Sequence, residues 1–410
     1  MQFDFNLRSS FLLIFFVHTL VYSGLFFYRY KKKEQRSSLW MGFFLLLAAL
    51  YISPWMLGFS GWYGHQPYRN ILFYVPFQHL FLIGPVIFFY VATLFNPHFR
   101  LNGKNWLHFL PAMLYLLFCI VMVVYDQLIV QQYYFLKKEQ DPDFDDWYQI
   151  AGYISMITYF VASIKYYYNY RKTVEAIISN AAEFLFAWVR NFLFAFLFIL
   201  SAWFFIAVFG LFYQINYVIT WWYFLGFAII CYYIAIAGYS NAVEAKLFFQ
   251  GSFFNTDQRI YLVDRVIPLS LGYVEADIQE ISLQEINNNS EAANPKLALW
   301  KEQIEKLLTE EQVYLEPELT LLDIAKRLQT NISNLSLVVN TSFQSNFNDL
   351  INRYRVNHFI VLLDNAEHKK QTLLSLAFES GFNSKTTFNR AFKKNTGLSP
   401  VEYIKTKVDK

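Results

Sequence analysis

Lys385, Thr386, Asn389 and Arg390 carry the most readily named chemistry in this chain. Residues three and four apart are neighbours on a helical surface, so these four share one side of a helix. An arginine placed there can form two parallel hydrogen bonds with a guanine edge, and an asparagine two with an adenine edge. Lys393 and Lys394, one turn further on, are point charges suited to phosphate oxygens. A weaker set lies upstream. Ser333, Asn334 and Ser336 can hydrogen-bond bases or phosphates, while Leu337 can only meet a thymine methyl or pack. Arg355 suits either a phosphate contact or a structural salt bridge.

Catalytic chemistry has no comparable set. The long apolar runs of the first 240 residues hold no paired carboxylates, no His-Glu-x-x-His and no Gly-x-Ser-x-Gly, so hydrolysis and proton relay lack their parts. His18 and His79, with Gln78 beside the latter, are polar groups within those runs. They read as a polar patch in a ligand pocket, as a metal site, or, in preference to a metal site, as hydrogen-bonding groups that tie neighbouring helices together. Cys119 and Cys231 both sit in apolar runs and read as small buried hydrophobes, which leaves no disulfide framework and no cysteine zinc site. No catalytic residue, metal or cofactor is expected.

Two similar helix-turn-helix patterns must position the base-reading side chains. In the first, Thr320 caps a helix carrying Leu321, Ile324, Ala325 and Leu328, and Asn331 caps a second helix through Leu335, Val338 and Val339. In the second, Leu373, Leu376, Ala377 and Phe378 form the first helix and Gly381 supplies the turn. Ser384 then caps a helix whose Phe388, Ala391 and Phe392 face the core. A long helix over residues 347–363 joins the two, Gly397 ends the last reading helix and Pro400 opens a short final one.

Three stretches within residues 317–410 resemble the DNA-binding domain of the AraC/XylS family of transcription regulators. They are Leu321-x-x-Ile-Ala, Phe347-x-x-x-Ile-Asn-x-Tyr-Arg, and Ala377-x-x-x-Gly-Phe-x-Ser-x-x-x-Phe-x-Arg-x-Phe-Lys-Lys followed by Gly-Leu-Ser-Pro at 397–400. The resemblance implies that the second helix of each copy enters a major groove on one face of the duplex. The first copy departs from the pattern, because its reading helix at 331–340 has no Lys or Arg and presents Leu337 where the family often has a long polar side chain. The second copy is therefore expected to discriminate sequence and the first to position the domain.

The rest of the chain is a different material. Of 410 residues, 56% are hydrophobic and only 16% charged, against about 25% charged in ordinary soluble domains. Net charge is +5 over residues 1–240, −7 over 241–316 and +5 over 317–410. Seven apolar stretches of near-spanning length occupy the first part: Phe11–Tyr30, Leu39–Phe59, Ile71–Phe95, Trp106–Tyr125, Tyr148–Tyr168, Phe192–Tyr213 and Val218–Tyr239. Each approaches the roughly 20 residues a helix needs to cross a bilayer. With the N-terminus outside, the inner segments hold ten basic residues, among them Lys31, Lys32, Lys33, Arg100 and Arg171, and the outer ones four: Arg8, Arg69, Lys137 and Lys138. That asymmetry favours N-out and C-in, and puts the acidic loop at 141–146 outside. A cleaved signal peptide is the rival reading of the first run, but Lys31-Lys32-Lys33 after it resembles a stop-transfer.

Residues 241–316 read as an acidic linker, with short apolar pieces such as Tyr261-Leu262-Val263 and a polar run at 287–290. A connecting helix near 296–310 carries Leu297, Trp300, Ile304, Leu307 and Leu308 at helical spacing. It packs on the following domain or forms a dimer seam. The expected fold is all-α: a seven-span sensor bundle over 1–240, the linker, and an AraC-type double helix-turn-helix over 317–410. The expected protein is a regulator in the bacterial inner membrane, its DNA-binding domain in the cytoplasm. Its partners would be promoter DNA, the bilayer, a small-molecule or envelope signal, and a second copy if it dimerises. Two alternatives stand beside this: a transporter or membrane enzyme with a regulatory tail, and a receptor whose tail binds protein.

Overall fold

The computed structural model describes residues 5–96, 99, 101, 103–136, 141–210, 212–213, 217–241, 248–250, 259–262, 279–282, 295–365 and 371–408. Arg100, Lys137 and Lys138, Val263 and the polar run at 287–290 lie outside them. The chain divides into two compact units. One comprises Met1–Tyr167 and Ala187–Ala245, the other Tyr168–Phe186 and Lys246–Lys410.

The first unit contains α1 (Leu7–Lys33), α2 (Arg36–Phe59), α3 (Tyr68–Tyr74), α4 (Leu80–Phe95), α5 (Leu110–Val123), most of α6 (Asp146–Ile177), α7 (Ala187–Gly210) and α8 (Tyr217–Ser240). Asn6 caps α1 by accepting from the backbone N–H groups of Arg8 and Ser9, and Lys31, Lys32 and Lys33 in its last turn complement the helix dipole. The central helix is α2, which packs against α1, α4 and α8. Tyrosine hydroxyls in this core are paired rather than orphaned: Tyr51 bonds to Tyr153 at 2.5 Å and to Tyr223 at 3.3 Å.

Among the described residues, five helical stretches are long and apolar enough to cross a membrane: Leu7–Lys33, Arg36–Phe59, Gly103–Ile129, Ala187–Ile206 and Thr220–Ser240. Along Gly103–Ile129 the side chains of Leu107, Leu110, Met113, Leu114, Leu117 and Val121 are exposed, an apolar surface of the kind that faces lipid. Seven spans were the expectation. The third stretch is broken, leaving α4 with 16 residues, a rise of only about 24 Å. The fifth lies within a helix of 32 residues and is long enough, but its tyrosines and Lys165 dilute it.

The break has a local cause. Pro76 has no N–H and disfavours the α conformation at Val75, so the chain is non-helical over 75–79. The freed N–H groups are taken by the acidic loop. Asp143 Oδ2 accepts from the backbone of Phe77 at 2.7 Å and Gln78 at 2.9 Å, and Oδ1 accepts from the Tyr115 hydroxyl at 2.6 Å. Asp141 and Asp143 of the acidic loop are consequently buried. Burial pushes the Asp143 carboxyl up to about 6 and raises Asp141 as well, with the neighbouring Asp143 charge adding to the latter.

The chain is nearly all-helical, with one addition to the all-α expectation. Within the segment read as a linker, β1 (Phe248–Gln250), β2 (Arg259–Leu262) and β3 (Gln279–Ser282) form an antiparallel sheet in the order β1-β2-β3. Its register pairs Phe249 with Ile260 and Ile260 with Ile281.

Candidate nucleic-acid interface

The second unit carries α9 (Pro295–Thr309), α10 (Leu321–Arg327), α11 (Ile332–Ser342), α12 (Phe347–Asp364), α13 (Leu373–Glu379), α14 (Lys385–Thr396) and α15 (Pro400–Val408). Short polar caps set their starts. Thr320 and Asp323 form a capping box on α10, with Thr320 Oγ1 accepting from the Asp323 N–H at 3.3 Å and Asp323 Oδ2 from the Thr320 N–H at 2.7 Å. Asn331 caps α11 through the Asn334 N–H at 2.8 Å, and Ser384 caps α14 through the Thr387 N–H at 3.2 Å. Gly397, at φ +80°, ends α14 with its N–H on the Lys393 carbonyl.

Buried Val356, Phe359 and Leu363 of α12 pack with Leu376, Ala377, Phe382, Phe388 and Phe392, which fixes α13 and α14 as a pair against the long helix. With Phe388, Ala391 and Phe392 turned inward, the opposite side of α14 faces solvent. Lys385, Thr386, Asn389, Arg390, Lys393 and Lys394 are all exposed there. The face is short, cationic and rich in forked donors, which is what a major-groove reader requires. Two of its members have acidic neighbours. Lys394 Nζ lies 2.6 Å from Asp349 Oδ2, and Arg390 Nη2 lies 3.8 Å from Glu175 Oε1.

Such a helix pair against a long helix is a recognised module, and residues 324–406 match a family model described as a helix-turn-helix domain. These residues are a helix-turn-helix domain. The match is of the AraC type and supports a DNA-binding transcription regulator. No curated protein and no solved structure matches the chain.

Within the helix-turn-helix domain three candidate DNA contacts need correction. Arg355 is fully buried, with 0% exposure, and cannot reach a phosphate. Its Nε donates to the Tyr314 carbonyl at 2.7 Å and its Nη2 to the Glu316 carbonyl at 2.6 Å, so it fastens α12 to the chain ahead of α10. Among the described residues its partners are neutral carbonyls and a hydroxyl, with no carboxylate in a salt bridge. Ser336 and Leu337 of α11 are 2% and 8% exposed. The helix α9 packs against α11, with Ile304, Leu307 and Leu308 buried, and Ser336 and Leu337 lie inside the fold. Ser333 and Asn334 are half-buried.

The three polar candidates of the first unit have separate surroundings. His18 lies between the rings of Tyr22 and Tyr232, at centroid distances of 4.5 and 4.2 Å. Gln78 and His79 stand at the helix break, where Gln78 Oε1 accepts from Gln149 at 2.8 Å and its carbonyl accepts from the Tyr148 hydroxyl. Sequence reading missed Glu175 and Ser179, which contact the helix-turn-helix domain. The one signal present is Arg171 four residues before Glu175, the spacing of a helical ion pair, which marks the helix as continuing past its apolar run.

Proposed function

We propose that the chain is a membrane-tethered, sequence-specific transcription regulator. Its apolar helices form a bundle in the bacterial inner membrane with the N-terminus outside. A signal arriving at the outer face or within the bilayer biases that bundle, and the cytoplasmic helix-turn-helix domain changes its binding to promoter DNA. The observation that carries the reading is the exposed face of α14, where six polar or basic side chains stand opposite a phenylalanine core. The five apolar helices ahead of it support the tethering.

Arg390 and Lys393 separate base reading from phosphate contact. Arg390→Ala in the full-length chain is expected to lose about 1–3 kcal/mol of DNA affinity and to relax preference at one base pair. Lys393→Ala is expected to weaken all sequences equally and to reduce the salt slope by about one. Titration of labelled duplexes at several salt concentrations distinguishes these patterns. Unchanged affinity and preference in Arg390→Ala would mean that this face does not read DNA.

A further inference from the structure

We propose that residues 174–180 are an intramolecular ligand of the helix-turn-helix domain that competes with DNA for α14. The proposal rests on the DNA-reading function above. Three kinds of contact, all within the second unit, support it.

The first is backbone pairing. Just past the end of α6, Ile178 forms an antiparallel bridge with Thr320, and the Ser179 N–H donates to the Leu319 carbonyl at 3.2 Å. Thr320 is the N-cap of α10, so the segment attaches where the first helix-turn-helix begins. The second is a polar socket on α12. Carbonyls just past the end of a helix need partners from outside it. Here the Ser179 carbonyl accepts from Asn348 Nδ2 at 2.6 Å and Asn352 Nδ2 at 3.3 Å, and the Ile178 carbonyl accepts from Asn348 Nδ2 at 3.3 Å. Ser179 Oγ accepts from Arg355 Nη2 at 3.2 Å, and Ser179 is fully buried. The third is charge. Glu175, one turn before Ser179, faces Arg390 across 3.8 Å while also holding Arg171 at 2.9 Å.

A guanidinium engaged by a carboxylate has fewer free donors for a guanine edge, and a carboxylate beside the reading face repels phosphate. The Glu175–Arg390 pair is also easily displaced, being at the rim, with side-chain exposures of 20% and 54%. Socket and rim thus have different roles: the asparagine amides hold the segment, and Glu175 occupies the reader. The segment is continuous with α6, one helix from Asp146 to Ile177, so an axial shift or rotation of that helix moves Glu175 and Ser179 together. Docked and undocked segments are the two states that coupling requires, and DNA favours the undocked one.

The test uses the full-length chain in lipid nanodiscs and a duplex enriched from random DNA by that same preparation. Glu175→Gln keeps the shape and removes the charge, and is expected to tighten DNA binding about two- to fivefold, the scale of a rim ion pair. Asn348→Ala with Asn352→Ala releases the Ser179 carbonyl and is expected to tighten it roughly tenfold. Adding DNA to the unaltered chain should speed amide exchange at residues 178–180. Arg390-dependent binding that none of these substitutions changes, with exchange at 178–180 unaltered by DNA, overturns the competition. Failure of every preparation to bind any duplex removes the DNA reading, and the competition with it.

Discussion

Arg355→Ala is expected to destabilise the helix-turn-helix domain by about 3–5 kcal/mol, an effect on folding rather than on DNA contact. The guanidinium is fully buried and donates to the carbonyls of Tyr314, Glu316 and Pro317, with Phe382 under it at 5.9 Å. Truncation leaves the Tyr314 and Pro317 carbonyls without that donor, while the Glu316 carbonyl keeps the Leu319 N–H; each buried unsatisfied group costs about 1–3 kcal/mol, and a cavity opens on the Phe382 ring. Removing a buried charge returns part of its desolvation cost, which is large enough here to pull the guanidinium down to about 9. That return offsets only part of the loss, because the partners stay buried. Hydrogen exchange of the α12 amides measures the result directly, as a drop in the free energy of their slowest exchange. A phosphate contact would behave differently, with exchange unchanged and only the salt slope of DNA binding reduced.

The second large effect comes from the other side of the same carbonyl. Gly381 sits at φ +85°, and a Cβ built on it would lie 2.4 Å from the Tyr314 oxygen and 2.8 Å from Leu315 Cα. Both are backbone atoms and cannot swing away. Gly381→Ala therefore incurs about 1–2 kcal/mol for the left-handed conformation and about 1–3 kcal/mol for overpacking. Gly397→Ala is the control, since Gly397 has φ +80° but open space around its Cβ position. Its cost should be confined to the conformational part. Thermal unfolding of the two variants should thus separate, with Gly381→Ala lower by several degrees. Equal melting temperatures would mean that the Tyr314 segment yields to the methyl group. Combining Gly381→Ala with Arg355→Ala should cost less than the sum, because both act on the position of the Tyr314 carbonyl.

Much of the C-terminal domain was legible because its determinants are local. Thr320, Asn331 and Ser384 cap the helices their spacing indicates, and Phe388 and Phe392 are core. Arg355 misled because a long basic side chain suggests a surface. Its position did carry a contrary signal: Ile351, Arg355 and Phe359 recur every four residues, which places the arginine on the buried stripe of α12. Leu337 is buried where α11 packs against α9, α10 and α12, contacts between helices that no spacing within α11 encodes.

In the membrane half, hydropathy marked where apolar runs end but not where helices end. The fifth run stops near Tyr168, whereas α6 continues through Arg171, Lys172 and Glu175 to Ile177, because polarity does not break a helix. The inward fold of the acidic loop was illegible for a related reason. Pro76 announces a break, but nothing nearby shows that Asp143, 66 residues from Phe77, satisfies it. Whether a carboxylate is solvated or buried is settled by its tertiary partners.

The most direct test of the account is flotation of DNA on proteoliposomes that carry the uncleaved 410-residue chain. A labelled duplex, selected from random sequence by the same proteoliposomes, is mixed with them in the presence of excess nonspecific DNA and centrifuged through a density gradient. The expected result is that this duplex rises with the lipid, that a scrambled duplex of equal length stays below, and that Arg390→Ala floats less of the selected duplex. Equal flotation of selected and scrambled duplexes, unchanged in Arg390→Ala, would contradict it.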